Sequence, residues 1–132
     1  MSKLLQRLRD ARRSGVYRAS DPKPILEATR ASGLDVVAID ARKPLEAIAR
    51  SLDFPAWFGG NWDALEDSLG DLSWRSGDGH VLVFTDYPED RSLLVEVLRS
   101  SAQYWAARGR PFFAIFIDPA NKLDLPALYR DA

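Results

Sequence analysis

Apolar positions along the chain switch repeatedly between helical and strand spacing. Leu4, Leu5, Leu8 and Ala11 recur at helical intervals over residues 2–13, and Ser14 with Gly15 ends that helix. Residues 16–18 are long enough only for a short strand. Pro24 suits the first turn of a helix over 23–32, which Gly33 stops. Residues 34–39, LDVVAI, make an apolar run of strand length, the pattern of a strand buried on both faces. Leu45, Ile48, Ala49 and Leu52 return to helical spacing over 43–52, and Phe54 with Pro55 breaks the helix. A second buried strand is expected at 80–84 (HVLVF) and a third at 112–117 (FFAIFI). Between them Leu93, Leu94, Val97, Leu98 and Trp105 mark a long helix that starts at Asp90 or Ser92 and ends near Gly109. The tail from 119, with Leu123, Leu125, Leu128 and Tyr129, is expected to form a short helix or to fray.

Strands alternating with helices imply right-handed crossovers and a parallel sheet, hence an α/β layered fold. With 132 residues, 46% of them hydrophobic, the chain suits one compact domain with a real core and is short for two. It has no cysteine, which excludes a disulfide frame and a thiolate zinc site. The start of the chain lacks the apolar core of a signal peptide, and no run approaches the roughly 18 apolar residues of a membrane span. The expected setting is soluble and cytoplasmic.

A net charge of -1 hides a strong asymmetry. Residues 1–30 hold eight Lys or Arg against three acids. Residues 51–90 hold nine acids against a single base, Arg75. An acidic middle repels phosphates, so it argues against nucleic acid as a direct ligand there and for a basic protein partner. The arginine-rich face of the first helix could touch nucleic acid or a membrane, but the helix is short and a solvated face is the commoner explanation.

The most unusual run is residues 54–72, FPAWFGGNWDALEDSLGDL. Gly59 and Gly60 permit backbone angles that other residues resist, so a tight turn is expected after Trp57 and Phe58. Asn61 reads as the N-cap of a helix over 62–69 that Gly70 stops. Trp62, Leu65 and Leu69 form its apolar stripe, and the opposite face carries Asp63, Glu66 and Asp67. Asp63 and Asp67 are a like-charge i,i+4 pair, which costs an isolated helix roughly 0.2–0.5 kcal/mol. Only Asp63 is close enough to the N-terminus for the helix dipole to offset its charge. Such a local inconsistency suits a functional surface, although a solvated face is the commoner cause. Of the paired aromatics Trp57 and Phe58, one is expected to plug the edge of the core.

Reactive groups are scarce. His80 is the single imidazole, and it opens an expected core strand with no nucleophile beside it, which favours a structural role. The glycine pair before a helix matches neither dinucleotide nor nucleotide-binding spacing, and Asp63 and Asp67 would repel an anion there. The three carboxylates could ligate Mg2+ or Ca2+, but their spacing matches no calcium loop.

Residues 54–74, FPAWFGGNWDALEDSLGDLSW, strongly resemble the barstar family of ribonuclease inhibitors. The likeness rests on an aromatic pair followed by Gly, one variable residue, Asn, an apolar residue, Asp, Ala, Leu and, after one more residue, Asp. More weakly it covers residues 34–118, where the order of elements suits the family's small parallel sheet of three core strands packed with helices. Residues 1–33 then form an N-terminal extension, able to add a fourth strand, and 119–132 a tail. The resemblance implies a partner-binding surface of Trp57, Gly59, Asn61, Asp63 and Asp67, with no catalytic residue, metal or cofactor. In the family, the aspartate corresponding to Asp67 enters the basic active site of a ribonuclease in place of an RNA phosphate. The aspartate corresponding to Asp63 reaches neighbouring cations.

The sequence also departs from the family. Trp57 stands where barstar has a tyrosine, and Glu66 where it has a locally packed tryptophan. The acidic contact that barstar draws from a later helix has no clear match, since the expected helix after Ser92 offers only Glu96. The loop over 73–79 looks longer. The function implied is an intracellular inhibitor, of antitoxin or immunity type, forming a one-to-one complex with a basic ribonuclease. Two other readings stay open at this level: an adaptor of the same fold for another basic protein, and a carboxylate metal enzyme.

Overall fold

The computed structural model of the protein describes residues 2–129. A parallel sheet runs in the order β1-β4-β3-β2, with β1 at Gly15–Ala19, β2 at Asp35–Asp40, β3 at His80–Asp86 and β4 at Phe112–Ile117. The helices are α1 (Lys3–Leu8), α2 (Lys23–Thr29), α3 (Pro44–Ser51), α4 (Trp62–Leu69) and α5 (Ser92–Ala106). The fold is therefore α/β with a parallel sheet, as the order of elements implies, and the N-terminal extension does supply a fourth strand.

Successive side chains of a strand point to opposite faces, and the central strands β3 and β4 use both. Leu82, Phe84, Phe112, Ala114 and Phe116 enter one apolar cluster with Ile48 of α3, Leu65 and Leu69 of α4 and Leu94 and Leu98 of α5. Val81, Val83, Phe113 and Ile115 enter the other, with Leu8 of α1, Ile25 of α2 and Leu128 of the tail. Helices α3, α4 and α5, with Leu123 of the tail, thus cover one face, while α1, α2 and Leu128 of the tail cover the other.

Three expectations need correction. The helix expected over 2–13 stops at Leu8, and a separate 3₁₀ turn follows at Ala11–Arg13. Asp10 is the cause, because its side chain accepts from the Arg12 amide and so competes with the helical ladder. The run LDVVAI is not buried on both faces. It forms the edge strand β2, where Ile39 is the one fully buried residue and Ala38 is exposed. An apolar run cannot show which strand ends at the edge. Finally, the tail forms no helix among the described residues. It lies along β1 instead: Arg18 N–H donates to Pro126 O, and Leu128 N–H donates to Arg18 O, each at 2.9 Å.

At the N-terminal ends of β2 and β3 lies a buried ionic network. Arg75 donates to both oxygens of Asp35, through Nε and Nη2, each at 2.7 Å. His80 Nδ1 lies 2.9 Å from Asp35 Oδ2, a geometry that assigns the proton to Nδ1. The side chains of Asp35 and His80 are 8% and 3% exposed. Burial pushes the Asp35 carboxyl up, but the hydrogen bonds from Arg75 and His80 outweigh it and leave the group below the usual range. Burial pushes His80 down, only partly offset by Asp35. His80 is thus a neutral, structural imidazole at neutral pH.

The depressed His80 pKa means that the unfolded chain binds more protons below its ordinary pKa of about 6.5, so folding stability falls with acidification there. A series of thermal melts should show a plateau at and above pH 7 and a declining melting temperature as pH drops toward 5. The Asp35 contribution is lost only below the ordinary carboxylate range. His80→Gln should melt lower at pH 7 yet lose much of the slope between pH 7 and 5. An unchanged slope would exclude His80 as its source.

Candidate functional site

Helix α4 presents its carboxylates because both its ends are fixed. At the N-terminus Asn61 is extended (φ -125°, ψ 173°), and its Oδ1 accepts from Ala64 N–H at 2.8 Å, satisfying one orphan donor of the first turn. At the C-terminus the Trp105 indole of α5 donates to Leu69 O at 2.7 Å. Leu65 and Leu69 anchor the inner face in the core. Asp63, Glu66 and Asp67 are left exposed.

The described residues provide neither Asp63 nor Asp67 with an ion-pair or side-chain hydrogen-bond partner. Arg75, the one base of the acidic segment, is occupied by Asp35 and Asp53. Glu66 differs: its Oε1 accepts from Ser100 Oγ of α5 at 2.7 Å. Glu66, Asp67, Gly70, Ser100, Ser101 and Tyr104 line an open concavity of about 330 Å3 between α4 and α5. Tyr104 is held there under the Arg108 guanidinium, 3.6 Å from the ring centroid. Asp63, Glu66 and Asp67 do not gather with further ligands into a group able to hold a metal ion, among the described residues.

The loop before α4 divides its aromatics as expected. Phe58 packs against the core and meets Phe54 edge to face at 5.0 Å, whereas Trp57 stays 66% exposed and meets Trp74 edge to face at 6.2 Å. The two glycines are not equivalent. Gly60 has φ +71°, the left-handed region that favours glycine. Gly59 has no positive φ, and a Cβ there would meet only Ala64 Cβ and Asn61 Nδ2 at an ordinary 3.7 Å. The fold demands glycine at 60 but not at 59. The five residues Trp57, Gly59, Asn61, Asp63 and Asp67 therefore lie on the exposed turn and first two turns of one short helix, with Asn61 in a capping role. Ser100 and Tyr104 escaped the sequence reading because they flank the apolar stripe of α5, and nothing in their spacing points across to α4.

A family model described as Barstar (barnase inhibitor) matches residues 36–117, more than half of the chain. The chain belongs to the barstar family. No curated protein and no solved structure gave a significant match. Barstar-family proteins are non-catalytic inhibitors, so the general function is ribonuclease inhibition through contact with a basic, ribonuclease-like partner. The match spans β2 to β4 and contains all of α4 and its loop, while β1, α1 and α2 lie outside it.

In a barstar-type inhibitor without its partner, the acidic face is a liability. Mid-helix aspartate is a poor helix former and Asp67 repels Asp63, so Asp67→Ala should stabilise the free protein by about 0.5–1 kcal/mol. Urea denaturation monitored by circular dichroism measures this. A destabilised variant would mean that Asp67 makes a favourable contact within its own chain.

Proposed function

We propose that the protein is an intracellular inhibitor of antitoxin or immunity type that protects its producer by plugging the active site of a basic ribonuclease in a one-to-one complex. Asp67 takes the position of an RNA phosphate among the enzyme's cations, and Asp63 contacts cations beside it. Trp57 and the turn through Gly59 and Gly60 fit against the rim of the cleft, where the small Gly59 permits close approach of the two backbones. The inhibitor acts by occupying the site; it performs no chemistry.

The observation that carries this reading is the pair of exposed carboxylates, unpaired within the described chain, on a helix held at both ends. Fixed charges need little reorganisation on binding, and their mutual repulsion is relieved once a cation lies between them. An acidic face also steers association with a basic enzyme.

Inhibition titrations against the cognate ribonuclease test the proposal. Truncating a desolvated central contact typically costs about 2 kcal/mol or more, a general value that draws in part on barnase with barstar themselves. Asp67→Ala should therefore weaken inhibition by about thirtyfold or more, mainly through faster dissociation. Asp71→Asn, at the rim, should change mostly the association rate and its salt dependence. Equal and small effects of the two substitutions would refute the assignment. So would normal binding of a basic protein that has no ribonuclease activity, the outcome expected of an adaptor.

A further inference from the structure

Two consecutive residues after α4 hold two consecutive residues before the binding loop. The Trp74 indole donates to Leu52 O at 2.9 Å, and Arg75 Nη1 donates to Asp53 Oδ2 at 3.1 Å. The Trp74 ring also meets Phe54 edge to face at 5.7 Å and Trp57 at 6.2 Å. Arg75 in turn is tied by two 2.7 Å hydrogen bonds to Asp35 at the start of β2. The loop is thus fastened to the sheet through Trp74 and Arg75 as well as through its own chain.

Backbone strain marks the same two places. Asp53 and Leu72 have φ of +54° and +49°, in the left-handed region. Aspartate tolerates this, but for leucine it is unfavourable and persists only where surrounding contacts enforce it. Leu72 is buried in the core at 2% exposure, which holds the chain in the turn that leads to Trp74. Among the described residues nothing on the outer side of Trp57 restrains it: the residue is 66% exposed, and its ring meets Trp74. An exposed aromatic with so little support loses conformational entropy on binding unless it is already held.

We propose that Trp74 and Arg75 are positioning residues of the inhibitory surface: together they fix the loop over 52–58 so that Trp57 stands ready beside the acidic face of α4. They touch no partner themselves. The inference rests on the assignment of Trp57 to the partner-binding surface. It differs from a purely structural role in what it predicts, since loosening the clamp should damage binding through Trp57 while leaving the fold largely intact.

Removing Arg75 would also strip the buried Asp35 of its counter-ion, so the informative changes are Trp74→Phe and Asp53→Asn. The first keeps an aromatic ring and deletes the indole donor. The second removes the loop end of the Arg75 bridge at an exposed position where asparagine also tolerates a left-handed backbone. Hydrogen exchange on the free protein reads the loop directly, because the Phe54 amide is bonded to Ala49 O and the Phe58 amide to Pro55 O. Both variants should exchange these amides several-fold faster while amides in β3 and β4 keep their rates. Dissociation constants for the ribonuclease should rise about tenfold, mid-range for directly coupled residues, and by less than twofold when the same changes are made on a Trp57→Ala background. Unchanged loop exchange would overturn the proposal, and so would equal losses of affinity on both backgrounds. Should the wild-type protein inhibit no ribonuclease, the functional reading fails, and the exchange measurement alone then decides the clamp: faster loop exchange upholds it and unchanged exchange rejects it.

Discussion

Asp35 is an unusual residue to find at the start of a strand packed beside the core, and the arrangement around it holds one end of the sheet to the segments that flank α4. A buried carboxylate is costly unless its charge is met and its lone pairs are occupied. Here Arg75 grips both oxygens and His80 adds a third hydrogen bond. The three residues come from β2, the loop after α4 and β3, so a single charge requirement brings together segments that are far apart in sequence. Arg75 has a further donor for Asp53, which extends the same network to the start of the loop before α4. The loop before α4 is therefore tied to a polar cluster at the sheet's end as well as to the apolar core.

Helix α4 shows the opposite economy. Its inner face is conventional, with Leu65 and Leu69 fully buried, but Ser68 also lies buried there with a hydroxyl that finds no partner among the described residues. Its outer face carries repelling aspartates. A segment of eight residues with these handicaps holds its shape because its neighbours impose it: the Asn61 cap at one end, the Trp105 indole at the other, and the core beneath. The stability of the surrounding fold thus supports a helix whose outer face is locally unfavourable. Glu66 is integrated differently from its neighbours, bonded across to Ser100, and it lines the concavity beside Asp67.

Much of the fold was legible because its signals are local. The runs HVLVF and FFAIFI are apolar without interruption, and they are the two central strands; Asn61 and Gly70 bracket α4 as capping chemistry requires. The run LDVVAI looked equally central and proved to be an edge, because strand order is decided by contacts between elements that no single segment reveals. For the same reason the tail's leucines suggested a short helix or a frayed end, whereas β1, far earlier in the chain, pairs through Arg18 with Ala127 and accepts the Leu128 N–H. At the candidate site, the acidic pair and Trp57 were visible in a contiguous motif. Arg75, Ser100 and Tyr104 were not, since their importance lies in what they face.

The neighbours of β1 have a bearing on how the chain assembles. Gly15 pairs with Phe113 and Arg18 with Phe116 on one side, and Arg18 bonds to the Pro126 and Leu128 backbone on the other. Both neighbours are made long after β1 leaves the ribosome, so the strand must wait, unpaired, until most of the chain has been synthesised. The arginine-rich segment that precedes it would help to keep that waiting strand in solution and away from other edges. The segment matched to the family holds β2 and β3, which pair with each other and need nothing from β1, whereas β1 has no sheet neighbour until β4 exists.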